Sequence, residues 1–409
     1  MKILFCTSAL ITGRGGIASY AHDFITAFRD SNNFTVVTND GYRKKESDCF
    51  EVVHFAMNDF SLSNARRFMT FIAEINPQLI INSAFPLLSL VTPYLNDGIK
   101  IINVAHFVSG KLLMVAGLNA NYADTIIAQS TYARENLRRL YKVKRDTRVE
   151  VVYNFMPSLP YVDLDRKKSR KTLKIVYPGG NSIAKSTDIV CMALKKLMQT
   201  DLDFEFYWIG RTKLPGANWP IVKTKEIGDC LNRHDHRIKV IAPIPREMAK
   251  CIMADANIFL LPSRGEGCPI TLLEAMRGGC IPIISNAKHG SLDIIDNEKN
   301  GFVVEQNSVR QIVERITDII KHPHAYDYIY DASLLKFKND LQYNIWIDTM
   351  CNIMEKCSKH RKRVAFNTYR YIGDAVYIKI RYLLFWMQAR FLFQPYCMLA
   401  FRYIKHFYK

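Results

Sequence analysis

The chain has 409 residues, enough for two domains of ordinary size. Hydrophobic residues make up 49% and charged residues 23%, a globular balance that excludes a disordered or fibrous chain. The formal net charge is +18, and residues 359–409 alone hold eleven Lys and Arg against the single acid Asp374, a net +10. That asymmetry predicts contact with an anionic surface. The ten cysteines run from Cys6 to Cys397 without a C-x-x-C pair, as expected of reduced thiols in a cytoplasmic protein. Met1-Lys2 and the apolar run after it have the outline of a short signal peptide. The missing A-x-A-like site and the Gly-rich turn that follows point instead to a buried first strand.

In chain order, short apolar runs alternate with helical patterns. Strands are expected at Ile3–Cys6, Thr35–Thr38, Leu79–Ile81, Lys100–Val104, Thr125–Ala128 and Val149–Val152. Helices fall between them at Ile17–Phe28, Ala65–Ile75 and Ala133–Leu140. Pro157–Thr172 is polar and basic and reads as a link. The pattern restarts at Leu173–Tyr177 and continues through Phe204–Ile209, Ile238–Ile241, Ile258–Leu260, Ile281–Ile284 and Phe302–Val304. Apolar strands separated by helices imply parallel sheets covered on both faces. The fold class is therefore α/β: two doubly wound Rossmann-like domains, 1–160 and 172–340, facing across a cleft, with a C-terminal helical tail. Residues 341–357 form a helix with Trp346, Met350 and Ile353 on one stripe, and 358–409 form the tail. Ligands in such folds sit at the carboxyl ends of the strands.

Chemistry concentrates in Ser263–Ser285. Glu266 and Glu274 stand eight positions apart across a loop-to-helix junction. Gly265 and Gly267 flank Glu266 and let the backbone approach a ligand. Pro269 suits the first helical position, and Gly278-Gly279 ends the helix. Free amides of Ile270 and Thr271, together with the Gly267-Cys268-Pro269 turn, would bind an anion at the positive end of that helix. Glu274, one turn in, would accept hydrogen bonds from a pair of sugar hydroxyls. The combination suits a phosphorylated sugar.

This stretch resembles the E-x7-E signature of the retaining glycosyltransferase family 4, whose fold is termed GT-B. The resemblance covers roughly residues 1–357. It implies that Glu274 contacts the ribose of a nucleoside-diphosphate sugar and that Glu266 lies beside the transferred sugar. Gly15-Gly16, opening the first helix, is similar to the family's diphosphate-facing turn. Lys185, six positions after Gly179, matches a cation that clamps the diphosphate. The family's Arg at the preceding site is Gly180 here, and Arg14 or Arg264 is a candidate substitute. His106, at a strand's carboxyl end, resembles the histidine near the sugar hydroxyls and the reacting carbon. Asp293 corresponds loosely to an acidic position.

The resemblance implies transfer of a sugar, and the basic aromatic tail, which lies outside it, points to a lipid-linked glycan or lipid acceptor, as in cell-surface polysaccharide or glycolipid synthesis. A noncatalytic nucleotide-sugar-binding subunit and a sugar-nucleotide epimerase on a similar fold are the alternatives. No cofactor and no essential metal are expected. Asp163-Leu-Asp165 and Asp201-Leu-Asp203 read as polar turns, and the pairs His234/His236 and His322/His324 lack further ligands at zinc spacing.

From Tyr382, aromatic and apolar residues recur at helical spacing through Phe385, Trp386, Ala389, Phe393, Tyr396, Ala400, Tyr403, Ile404 and Phe407, opposite an arc of Lys and Arg. Such a stripe predicts an interfacial helix on an anionic membrane, peripheral on its cytoplasmic face. Arg390 disfavours a spanning helix. The basic run Arg134–Arg145 is a second candidate contact. No nucleic-acid module is present, and the sequence leaves the oligomeric state open.

Overall fold

The computed structural model describes residues 1–11, 15–155, 162–180, 182, 184–210, 235–356 and 363–391, with side chains described as far as Phe385 in the last segment. The first domain runs β1 (Lys2–Thr7), α1 (Gly16–Phe28), β2 (Asn33–Thr38), β3 (Phe50–His54), α2 (Leu62–Ile75), β4 (Leu79–Ser83), α3 (Pro86–Val91), β5 (Lys100–Ala105), α4 (Gly110–Gly117), β6 (Thr125–Ala128), α5 (Thr131–Leu140) and β7 (Arg148–Val151). The second runs α6 (Leu164–Lys168), β8 (Leu173–Pro178), α7 (Thr187–Leu197), β9 (Phe204–Ile209), β10 (Ile238–Ile241), α8 (Arg246–Asp255), β11 (Ile258–Leu261), α9 (Ile270–Arg277), β12 (Ile281–Ser285), β13 (Phe302–Val304), α10 (Val309–Lys321) and α11 (Asp327–Asp340). Helices α12 (Tyr343–Lys356) and α13 (Thr368–Phe391) follow.

Both sheets are parallel, in the orders β3-β2-β1-β4-β5-β6-β7 and β10-β9-β8-β11-β12-β13. Strands β1, β4 and β5 are buried on both faces, which is why they read as unbroken apolar runs. In each sheet the winding reverses once, between β1 and β4 and between β8 and β11. A crevice opens where the chain leaves adjacent strands in opposite directions, so these two points locate the site. Helix starts are set by hydroxyls: Ser61, Ser130 and Ser308 accept the amides of Asn64, Ala133 and Gln311 at 3.2, 3.0 and 3.3 Å. Each such cap is worth about 1 kcal/mol.

Helix α12 returns to the first domain. Trp346, Met350, Ile353 and Met354 are buried with Phe24 and Phe28 of α1, and the Trp346 ring stacks on Phe155 at 3.6 Å.

Two sequence expectations need correction. The stretch read as a link contains α6, whose buried Lys167 donates to the Gly278 carbonyl at 2.5 Å and so caps the carboxyl end of α9. The tail stripe also differs. Helix α13 lies across α3 and α4, burying Tyr371, Ala375 and Ile378. Tyr382 and Phe385, assigned from sequence to a lipid-facing stripe, pack against the same core. Inner positions 371, 375, 378, 382 and 385 repeat every three or four residues, as a helix requires. The stripe from Trp386 onward lies outside the described side chains. Upstream, Arg363 is buried, donates to the Asn96 and Ile99 carbonyls and lies 3.6 Å from Asp124. No helix among the described residues is long and apolar enough to cross a membrane.

Candidate active site

The site is built from chain that leaves the strands flanking each reversal. After β1, Gly15 has φ +100°, which an L side chain rarely adopts, and a Cβ on Gly15 or Gly16 would meet nothing within 4 Å. These glycines thus leave an open approach at the start of α1. One turn on, the Tyr20 ring meets His106 edge-on at 4.9 Å, and Asp23 projects toward the second domain. His106 follows β5, with Nε2 2.8 Å from the Ser83 hydroxyl at the end of β4. Burial drops its pKa to about 4, partly opposed by a hydrogen bond with Gln129, so the imidazole is neutral at physiological pH. A sugar hydroxyl meeting this ring would compete with Ser83 or Gln129.

On the facing side, Gly179 follows β8, and its carbonyl accepts the Trp208 indole N–H at 2.6 Å. Lys185, on the same loop, places Nζ 2.6 Å from Glu266 Oε1. Glu266 follows β11 and is 8% exposed. Two residues that the sequence held 81 positions apart therefore form one ion pair at the reversal of the second sheet. Helix α9 begins just beyond. Pro269 is its N-cap (φ −71°, ψ 116°), so the helix starts at Ile270, one residue later than expected. Ile270 and Thr271 are half-buried, and their amides have no acceptor within the helix.

The motif loop presses on the first domain. A Cβ at Gly267 would stand 2.1 Å from the His106 carbonyl oxygen, so only glycine permits this approach. The Asn154 amide group donates to the Cys268 carbonyl at 2.5 Å while accepting from Gln129 at 2.6 Å. Burial pushes the Cys268 thiol up to about 12, keeping it un-ionised. Asp293 accepts the Thr131 amide and hydroxyl at 2.7 and 2.5 Å, capping α5 from across the interface rather than facing the cleft.

Glu274 is 3% exposed and turns to the interdomain boundary, where Arg246 Nε lies 3.3 Å from Oε1. The same guanidinium donates from Nη1 to both oxygens of Asp23, at 3.0 and 2.9 Å. Burial raises Glu274 to about 7, with Arg246 and Lys250 opposing the rise and Asp23 adding to it. Burial likewise raises Asp23. Sequence reasoning missed Arg246 and Asp23. The available signal was that Asp23 is the single acid of α1. Buried polar atoms without a protein partner gather here too: the Tyr20 hydroxyl, Ser186 Oγ, Ser263 Oγ and Arg246 Nη2. Such atoms are rare in folded proteins and mark places where another polar group is expected.

Arg264 does not replace the missing cation at Gly180. Its guanidinium is held bidentate by Asp188 at 2.8 and 2.7 Å, and Asn307 accepts its Nε–H at 2.7 Å. Arg14 lies outside the described residues, as does His234. His324 pairs with Asp327 at 3.1 Å. Among the described residues no group of three or more His, Cys, Asp or Glu is placed to hold a metal ion.

A model of the glycosyl transferases group 1 matches residues 165–334, and one of glycosyltransferase family 4 matches residues 14–157. Between them they span both domains. The chain belongs to this glycosyltransferase family. An uncharacterized glycosyltransferase of Haemophilus influenzae is 35% identical over 81 residues, covering 20% of this chain and 23% of that protein. Glycogen synthase of Xanthomonas campestris is 23% identical over 155 residues, covering 37% and 31%. The chain thus spans about a quarter to a third of the curated relatives it matches. Sucrose-phosphate synthase from Thermosynechococcus elongatus superposes with a TM-score of 0.69 at 14% identity, over 87% of this chain and 99% of the other. HepE of Anabaena, solved with UDP, gives 0.68 at 16% identity, over 87% and 100%. These likenesses establish the GT-B fold of this family 4 glycosyltransferase.

Proposed function

We propose that this chain moves a sugar, with retention of anomeric configuration, from a nucleoside-diphosphate sugar to a hydroxyl of a lipid-linked glycan or lipid acceptor. The single observation that carries the reading is the meeting of Lys185 and Glu266 beside the start of α9, opposite His106. A diphosphate placed there receives the Lys185 ammonium, the first amides of α9 and the positive end of its dipole. When the bond from the anomeric carbon to the diphosphate breaks, the electron pair goes to a phosphate oxygen. These groups stabilise the charge where it grows, in a site sheltered from water. Glu266 then faces the sugar, neutral His106 lines the sugar side, and Glu274 accepts the ribose hydroxyls in charge-assisted bonds of about 1.5–3 kcal/mol each. HepE, a neighbour in fold, has been solved with UDP-glucose, which supports a donor of this class. The basic tail supports a peripheral position on an anionic, cytoplasmic membrane face, where a lipid-borne acceptor is presented.

The test is incubation of the full chain with a panel of nucleotide sugars and a membrane lipid extract, read by mass spectrometry. Sugar-extended lipid should form with one donor and be lost in Glu266→Ala at unchanged melting temperature. Donor binding without turnover would replace this reading with the noncatalytic subunit.

A further inference from the structure

The loop that carries Glu266 is held from behind by a second loop, the one that follows β12. Its residues Ser285, His289 and Ser291 are fully buried, as is Ser263 at the head of the Glu266 loop. The Ser291 amide donates to His289 Nδ1 at 3.2 Å. A backbone N–H can only donate, so Nδ1 presents its lone pair and the ring proton of the neutral imidazole sits on Nε2. Nε2 lies 3.3 Å from Ser285 Oγ, and that hydroxyl donates to the Ser263 carbonyl at 2.5 Å. The ring N–H also donates to the Ser263 carbonyl. Two hydrogens therefore converge on the backbone just ahead of Glu266. Just behind it, the Gly267 carbonyl accepts the Gly290 amide at 2.8 Å, and a Cβ at Gly290 would collide with that carbonyl. The turn Gly290–Asp293 then ends at Asp293, which is seated on the Thr131 amide and hydroxyl of the first domain.

The geometry points to His289 as a positioning residue for Glu266. It touches no substrate. It fixes one end of the loop 263–267 while Gly290 fixes the other, and so sets where the Glu266 carboxylate can reach. This inference rests on the proposed reading of Glu266 as the carboxylate beside the donor sugar. On that reading the brace matters most once a diphosphate draws Lys185 away. Glu266 then loses its ion-pair partner, and its backbone alone decides where it stands. A misplacement of about 1 Å at a reacting centre can cost about a hundredfold in rate. The tautomer is part of the device. With the proton on Nδ1, the ring would set N–H against the Ser291 N–H and have nothing to donate from Nε2. Protonating the ring would create the first of these clashes. Burial opposes it and lowers the His289 pKa, with the Lys185 charge acting the same way, while the Glu266 and Asp293 charges and the Ser263 carbonyl act in the other direction.

The test takes two readouts from the full chain. In nitrogen NMR with isotope-labelled histidine, His289 should show an unprotonated Nδ1 and a protonated Nε2, its signals identified by their loss in His289→Asn. The reverse tautomer would overturn the proposal. Kinetics follow with whichever nucleotide sugar the donor panel identifies. Asparagine keeps an acceptor for the amide two residues on, which preserves the turn, but is too short to reach Ser285. His289→Asn should lower kcat about ten- to a hundredfold. Donor KM should stay near wild type, because Lys185, the α9 amides and Glu274 would grip the donor as before. Ser285→Ala, which removes the other hydrogen from the same carbonyl, should also lower kcat and spare KM. Both variants are assayed well below their melting temperatures. Wild-type kcat in the two folded variants, or a loss confined to KM, would overturn the positioning role. If Glu266→Ala transfers sugar at the wild-type rate, the reading of Glu266 fails and takes this inference with it. If Glu266→Ala is inactive while His289→Asn matches wild type, only the role of His289 falls. A soluble acceptor would overturn the lipid reading and leave the kinetic comparison intact.

Discussion

Replacing Arg246 by Met would test how the second motif glutamate is used. Glu274 is nearly inaccessible, and its nearest countercharge is the Arg246 guanidinium at 3.3 Å. Burial already lifts its pKa to about 7, and Arg246 is the largest influence in the other direction. The sign follows directly. Below about 7 the carboxyl is neutral and a weaker acceptor, whereas above it the carboxylate would accept the ribose hydroxyls of the proposed donor in charge-assisted bonds. Wild-type donor affinity should therefore improve as pH rises through about 7. Met keeps the stem of the side chain and removes the charge, so protonation persists to higher pH and the improvement is displaced upward. Charge-assisted hydrogen bonds are roughly twice as strong as neutral ones. Two ribose hydroxyls would then lose about 2–3 kcal/mol together, or roughly 30- to 150-fold in donor KM near neutrality.

The assay is initial rate against donor concentration from pH 5.5 to 9. The change should fall on KM and leave kcat nearly unaltered, because ribose is gripped equally before and during transfer. Arg246→Lys should restore most of the pH profile, since it returns the charge without the fork that holds Asp23. Asp23→Asn should move the profile the opposite way, because the Asp23 charge raises the Glu274 pKa. A Met variant with the wild-type KM profile would refute the assignment of Glu274 to the ribose.

Gly267→Ala should lower both melting temperature and transfer. Its Cβ would lie 2.1 Å from the His106 carbonyl, and a backbone neighbour yields only by parting the domains, at about 1–3 kcal/mol for overpacking of this kind. His106 makes a prediction for stability. An unfolded chain takes up the imidazole proton below about 6.5, whereas the native ring resists it until about 4. Stability should decline as pH falls through that window, and His106→Asn should flatten the slope in urea unfolding measured at pH 4.5 and 7.

Much of the architecture is legible because buried parallel strands leave unbroken apolar runs. Strand β3 was not, since Phe50-Glu-Val-Val-His54 is an edge strand exposed along much of its length and lacks such a run. Helix α3 was missed for the opposite reason. All six of its residues are buried, and a short apolar segment has no periodicity to separate helix from strand. Within the site, Glu266, Glu274 and the α9 start were visible because local spacing defines them. Arg246 and Asp23 were not: their bond joins residues 223 positions apart, and neither has a local signature. At Tyr382 and Phe385 the tail reading failed on direction. Periodicity shows that α13 has an apolar stripe at 382 and 385, but it cannot say whether protein or lipid covers the stripe.

The glycine at position 180 raises the question of how one cation manages a departing diphosphate. In the structure even Lys185 is balanced by Glu266, so that pair carries no net charge. An incoming diphosphate would draw the ammonium toward itself, and Glu266, relieved of its partner, would turn to the sugar. The same exchange then positions the acid and neutralises the leaving group. Among the described residues, what remains would come from fixed dipoles, namely the first amides of α9 and the turns at Gly15 and Gly179. Dipoles act over shorter distances than full charges, so their placement has to be tight. The ties between domains supply that tightness: Asn154 to Cys268 and Thr131 to Asp293. With one cation at this position among the described residues, transfer on the proposed reading would depend closely on how tightly the halves are held.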